Sequence, residues 1–206
     1  MKIGIIGAGR IGGTVGTLWA KASHEVLFSS RNPDALADLA LAAGPNAHVG
    51  TIAEAAVFGE VVLLAIPWRN LDTLPAVELF AGKIVIDAMN HYGPTGQVID
   101  LSDSTSSEEV AKRLPGARLV KAFNTMYFET LRTGGRADAE NRLALFVAGD
   151  DDEAKAVVAR LIEEIGFAPV DTGSLREGGR RQQPGAPIYN RPLTVEQARA
   201  LLSAER

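Results

Sequence analysis

The sequence contains no cysteine. Disulfide staples, thiol nucleophiles and zinc–thiolate sites are thereby excluded, and any redox chemistry has to come from bound groups. Histidine is scarce, with three residues, and aromatic side chains make up only 6% of the chain. No apolar run is long. The longest, Val61 to Trp68, falls far short of a membrane span, so no membrane partner is expected. Neither sign of charge dominates: 21 basic residues face 25 acidic ones, for a net charge of −4. The basic residues are scattered, which argues against nucleic acid as a partner. Near the N-terminus the apolar stretch Ile3 to Ile6 stops at glycines, too early for a signal peptide, and reads as a strand. A cytoplasmic location is expected.

What is present is an ordinary globular composition, 46% apolar and 22% charged over 206 residues, enough for one domain with something left over. Short apolar runs alternate with helical patterns as far as about Gly173. Strands are expected at Lys2–Ile6, Glu25–Ser29, Val61–Ile66, Lys83–Asp87, Arg118–Ala122, Leu143–Ala148 and Ala168–Asp171. Most are apolar throughout, which suits parallel strands covered on both faces. Helix starts are signalled by Asn32-Pro33 and by capping-box spacings at Thr51/Glu54, Ser106/Glu109 and Thr194/Gln197. The clearest helix runs from Asp151 to Ile165, with an acidic first turn and Gly166 to stop it. The pattern predicts an α/β fold: a doubly wound, Rossmann-type, mostly parallel sheet over residues 1–173. A turn-rich, irregular C-terminal tail and a short last helix occupy 174–206, packing on the same domain or on a dimer mate.

Gly7-Ala8-Gly9-Arg10-Ile11-Gly12 follows the first strand and opens a helix, the context in which this spacing binds a dinucleotide. Gly7 allows the tight turn, Gly9 lets a pyrophosphate approach the backbone, and Gly12 lets helix and strand pack closely. The phosphates then meet free amides at a helix N-terminus. An NAD-preferring site places a carboxylate at the end of the second strand. Here that strand ends in Ser29-Ser30-Arg31-Asn32, while Glu25 stands at its opposite end. Ser30 and Arg31 offer a hydroxyl and a guanidinium fork to a 2′-phosphate, so NADP(H) is the expected cofactor. Arg10 is a further candidate phosphate contact.

The nicotinamide should lie over the carboxyl ends of the strands, at Ala65-Ile66-Pro67-Trp68, at Ala88-Met89-Asn90-His91 and at Ala122-Phe123-Asn124-Thr125-Met126. No Lys, Asp or Tyr stands out there as a proton donor. Ketone reduction needs such an acid, whereas hydride transfer to a flavin-like ring delocalises the new charge and chiefly needs stacked rings. His24 reads as a surface turn residue and His48 as a loop residue; only His91 falls near the site. Asn124 is the stronger polar candidate, and Trp68 and Tyr189 are aromatic candidates for stacking on a ring. No metal site is expected.

Gly7–Gly12, Ser29-Ser30-Arg31, Ala65-Ile66-Pro67-Trp68 and Gly149-Asp150-Asp151-Asp152-Glu153 together resemble the family of coenzyme F-420-dependent NADP oxidoreductases, over about residues 1–173. Lys121-Ala122-Phe123-Asn124-Thr125 is also similar to the NADPH-binding domain of the STEAP metalloreductases. The resemblance implies NADPH binding with Ser30 and Arg31 at the 2′-phosphate. It also implies hydride exchange with a deazaflavin over the Ile66-Pro67 turn and the Asn124-Thr125-Met126 loop. Two departures separate the chain from that family. Its members often have His where Asn124 stands, followed by a proline-containing loop, and they carry a longer apolar C-terminal helix that helps build the deazaflavin pocket and the dimer. This chain has Met126-Tyr127-Phe128 and Arg180-Arg181-Gln182-Gln183-Pro184-Gly185 in those places.

The expected function is hydride transfer between NADP(H) and a small-molecule acceptor, coenzyme F-420 or a flavin such as FMN or FAD, in a homodimer. The nucleotide is expected on Gly7–Gly12, Ser29–Arg31, Ala65–Trp68, Asn90 and Asn124, and the reacting rings on Pro67, Asn124 and Met126. Two alternatives stand beside it: a non-catalytic NADPH-binding redox sensor, and a reductase of small imines or 3-hydroxy acids. The latter normally needs a helical domain for which little chain remains.

Overall fold

The five residues after Met1 already set the pattern. In β1 (Lys2–Ile6), Ile3 and Ile5 point to one face of a sheet and Ile6 to the other, and all three are fully buried. Such a run is stable only when helices cover both faces. In the computed structural model, which describes residues 1–204, α1 (Arg10–Lys21), α2 (Ala37–Ala43), α5 (Phe128–Thr133) and α6 (Asp152–Glu164) cover one face. On the other lie α3 (Ile52–Phe58), α4 (Ser106–Arg113) and α7 (Glu177–Arg181). The remaining strands are β2 (Glu25–Ser29), β3 (Ala47–Gly50), β4 (Val61–Leu64), β5 (Ile84–Asp87), β6 (Arg118–Ala122), β7 (Ala144–Gly149) and β8 (Ala168–Gly173), and α8 (Val195–Ala204) closes the chain. They form one sheet in the order β3-β2-β1-β4-β5-β6-β7-β8. Every neighbouring pair is parallel except β6–β7. The Rossmann-type α/β expectation therefore holds.

Local chemistry explains most of the boundaries. Thr51 and Glu54 form a reciprocal capping box at the start of α3, and Thr194 and Gln197 form another before α8. The α4 box is shifted by one residue from its expected place. Thr105 is the cap and Glu108 its partner, while Ser106 and Ser107 turn inward and are buried. Asp151 caps α6 rather than beginning it, accepting from the Ala154 amide at 2.9 Å. Hydrogen bonds from Arg118, with the Ala154 amide next in weight, hold the Asp151 carboxyl well below the usual carboxylate range. Asn32 leads into a 3₁₀ turn at Pro33–Leu36 without a side-chain cap. The strand β3 has no counterpart in the sequence reading: it is a partly exposed edge with one β-branched residue, and His48 lies within it, not in a loop.

Because β7 runs against β6, and β8 runs with β7, the chain leaves β8 at the sheet edge opposite the glycine turn. Helix α7 brings it back. The following segment crosses to the strand ends, where the Asn190 amide donates to the Thr125 carbonyl at 2.8 Å. Ile188, Leu193, Ala198 and Leu202 then pack on Phe146 and Val170 in a separate small core. In this way the tail is bonded to the chain's own domain.

Candidate functional site

The glycine turn is shaped by what would collide with a side chain. Gly7 has φ +97, and a Cβ there would lie 2.7 Å from the Ala65 carbonyl oxygen. At Gly12 a Cβ would meet the Gly7 carbonyl oxygen at 2.2 Å. Gly9 is different: a Cβ would meet nothing within 4 Å, and Gly9 opens α1 with no side chain capping its first amides. The turn thus leaves open space in front of uncapped helix amides, the requirement for an approaching pyrophosphate. The amides of Gly7 and Ala8 are tied to the Ser29 carbonyl at 3.2 and 3.0 Å, so the end of β2 moves with the turn.

At that end of β2 the three polar residues do different things. Ser29 is fully buried and its hydroxyl donates to the Ile5 carbonyl at 2.7 Å. Ser30 donates to the Asn32 carbonyl and accepts from the Asn32 amide, closing a local turn. Arg31 is exposed, with no carboxylate paired to it among the described residues. The turn therefore presents one uncommitted guanidinium and no carboxylate of its own.

A cavity of about 260 Å³ opens beside the glycine turn at the carboxyl ends of β5 and β6. It brings together Arg10, Ile11, Asn90, Asn124, Met126 and Tyr189. Ala65 and Ile66 pack against Gly7, and Trp68 stands edge-on to His91 with ring centroids 6.3 Å apart. Pro67 is exposed and is not in the cavity wall. The Arg10 guanidinium lies over the Phe128 ring at 5.2 Å. Phe123, just before Asn124, takes φ +65, a strained value for an aromatic residue, while its ring packs edge-on against Trp19 at 5.4 Å. This kink turns the chain out of β6 and sets the direction of Asn124.

The amides of the two asparagines are locked together. Asn90 Nδ2 donates to the Asn124 carbonyl at 3.0 Å, and Asn124 Nδ2 donates to Asn90 Oδ1 at 3.1 Å and to the Gln182 carbonyl at 2.7 Å. Asn124 thus ties its loop to the tail, while its buried Oδ1 has no hydrogen-bond partner among the described residues.

Beneath the strand ends lies an ion pair that sequence reasoning passed over. Lys121 and Asp87 are both fully buried, with Nζ to Oδ2 at 3.0 Å; Lys121 also donates to the Met89 carbonyl. Asp87 accepts from the Met89 amide and from Ser107. Burial lowers the Lys121 pKa, and the charge of Asp87 opposes that shift. Removing either partner would strand a buried charge, a loss of about 3–5 kcal/mol. The pair clamps the Ala88–Asn90 turn from below and is closed off from the cavity. Burial, aided by the Lys121 charge and opposed by Asp87, also lowers the pKa of His91.

Several expectations change. Tyr189, expected only as a ring-stacking aromatic, brings a hydroxyl to the site from the tail, where it meets Asn90 and Tyr92. His24 is not a surface turn residue: it is buried, within 2.8 Å of Glu164 and 3.3 Å of the N-terminal amine. In the tail, which could pack on its own domain or on a dimer mate, Arg180 and Arg181 bond to the Asp103 and Thr172 carbonyls of their own chain.

The family model for coenzyme F-420-dependent NADP oxidoreductases matches residues 2–91. A candidate F-420-dependent NADP reductase from Arthrobacter sp. FB24 is 30% identical, with a TM-score of 0.73, covering 85% of this chain and 86% of that one. A hypothetical protein from Sinorhizobium meliloti is 31% identical, with a TM-score of 0.83 over 94% and 95% of the two chains. The rat metalloreductase STEAP3 is 31% identical over 176 residues, 84% of this chain but 34% of the relative. The chain thus spans about a third of the length of that metalloreductase, and among the described residues no helix is long and apolar enough to cross a membrane.

Proposed function

Since the chain belongs to the coenzyme F-420-dependent family of NADP oxidoreductases, we propose that it transfers hydride between NADP(H) and a deazaflavin or flavin ring held over the ends of β5 and β6. The observation that carries this reading is the position of the 260 Å³ cavity, whose wall includes Arg10 and Ile11 of the glycine turn as well as Asn90, Asn124 and Met126. A nucleotide with its pyrophosphate on the first turn of α1 would reach that cavity with its nicotinamide.

The residues present fit the cofactor. Gly9 leaves the space a phosphate needs, and the uncapped amides of α1 supply donors at the positive end of the helix. Ser30 closes the turn that presents Arg31, so the guanidinium is the group that meets a 2′-phosphate. Bound NADPH supplies the hydride. Ile66 and Met126 offer apolar surface to the rings, and Asn90 and Asn124 fix the loops that carry them. Pro67, exposed at the rim, would flank the ring rather than wall the cavity.

Anaerobic mixing of the NADPH-loaded protein with F-420, FMN, FAD or riboflavin, followed at 340 nm, tests the reading. Oxidation of NADPH by at least one ring acceptor is expected. Tight NADPH binding with no oxidation by any of them would make the protein a nucleotide-responsive sensor instead.

A further inference from the structure

Reduction by hydride leaves the acceptor one proton short, and the strand-end loops bring one phenol, the exposed Tyr127, to the cavity wall. The tail brings a second, held in a hydrogen-bond network. Tyr189 lines the cavity, held there by the Asn190 amide on the Thr125 carbonyl and by Gln182 on Asn124. Its hydroxyl lies 3.1 Å from Asn90 Nδ2 and 3.1 Å from the hydroxyl of Tyr92.

Two backbone carbonyls fix the polarity of this network, because a carbonyl only accepts. The Asn124 carbonyl requires Nδ2 of Asn90 to face it, and the Gln182 carbonyl requires Nδ2 of Asn124. Asn90 Nδ2 then spends its second proton on the Tyr189 oxygen. The two phenols have two protons between them and one mutual bond, so one O–H is left over. The carbonyls leave the direction of the bond between the phenols open; with Tyr92 donating, Tyr189 accepts twice and its own proton is free for the cavity. Burial, with the bond to Tyr92 next, raises the Tyr189 pKa above the ordinary phenol value, so the neutral phenol is the resting form.

We propose that Tyr189 is the proton-donating residue of the acceptor site, with Tyr92 behind it as a relay to water, and that its substrates carry a carbonyl oxygen or imine nitrogen conjugated with the carbon that takes the hydride. This rests on the hydride-transfer reading above. The acceptor carbon gains the electron pair and hydrogen from NADPH, leaving NADP⁺. The conjugated oxygen or nitrogen takes the Tyr189 proton. Tyr189 is refilled from Tyr92, and Tyr92 from water, so no phenolate persists in the pocket.

Tyr189→Phe keeps the ring and removes only the hydroxyl. The first measurement needs no turnover: fluorescence titration of the NADP⁺-loaded protein with 5-deazariboflavin. Removing the hydroxyl should weaken ring binding about 10-fold, as for a lost hydrogen bond, with NADPH affinity unchanged within about twofold. The second is single-turnover oxidation of NADPH by 5-deazariboflavin in H₂O and D₂O. Tyr189→Phe should slow it about 100-fold or more, the usual contribution of a positioned acid, and abolish the solvent isotope effect. Tyr92→Phe should have a smaller effect of the same kind. A Tyr189→Phe protein within about threefold of wild type in both measurements overturns the proposal. Weaker ring binding with an unchanged rate overturns proton donation and leaves Tyr189 as a hydrogen-bond donor. A wild-type protein that binds the ring but never oxidises NADPH refutes hydride transfer and, with it, proton donation, while the titration still judges the contact. No ring binding by wild type overturns both.

Discussion

Arg31 stands exposed after β2 beside a turn that Ser30 closes on itself, and the proposed preference for NADP(H) rests on that one side chain. A charge-assisted hydrogen bond contributes about 1.5–3 kcal/mol. Arg31→Ala should therefore weaken NADPH binding about 10- to 100-fold, measured by fluorescence titration, and leave NADH binding within about twofold. Equal losses for both cofactors would move the 2′-phosphate elsewhere. Single residues were also where the sequence was hardest to read. Arg31 could be singled out because its neighbours lack the carboxylate an NAD site needs, and the structure leaves it exposed. Tyr189 could be named only as an aromatic ring; the partners of its hydroxyl, Asn90 and Tyr92, lie nearly a hundred positions earlier and only the return of the tail joins them. Lys121 and Asp87 sit in apolar strands with nothing local to mark them as partners; their pairing follows from the β5–β6 register, Asp87 opposite Lys121. His24 looked exposed because a turn precedes β2, yet Glu164 from the far end of α6 covers it.

At the scale of elements, the glycine turn and α1 make two demands that mutation can separate. Gly9 has ordinary φ of −80 and open space around it, whereas Gly12 packs against the Gly7 carbonyl. Gly9→Ala should fold with an unchanged melting temperature while losing at least about 10-fold in NADPH affinity, since the added methyl group occupies the phosphate's approach. Gly12→Ala should instead lose about 1–3 kcal/mol in stability from overpacking, read by urea denaturation. A Gly9→Ala protein that binds NADPH normally would remove the pyrophosphate from this turn. Strands were legible wherever they are apolar on both faces, as in β1, β4 and β5. The edge strand β3 was missed because it is half-exposed and carries little β-forming sequence. The box at Ser106/Glu109 was one residue late because Thr105/Glu108 has the same spacing, and only burial of Ser106 and Ser107 decides between them.

Over the whole molecule, the reversal of β7 and β8 gives the tail its part in the site. Had β7 continued parallel, the chain would have left β8 at the strand ends directly; as it is, α7 carries it back, with Gln182, Tyr189 and Asn190 arriving on the Asn124 loop. Residues 182–190 lie along the Asn124 loop, so the proposed acceptor site is the cavity at the strand ends that Tyr189 and Asn190 also line. A cysteine-free chain has no thiol with which to hold electrons, and the proposed transfer is direct, from one bound ring to the other. Mass spectrometry of 5-deazariboflavin, reduced in a single turnover by NADPH dideuterated at the nicotinamide C4, tests that passage most directly, because deuterium on the deazaflavin C5 does not exchange with water. A single deuterium retained in the reduced ring is the expected result; NADPH oxidised with no deuterium in the ring would contradict direct hydride transfer.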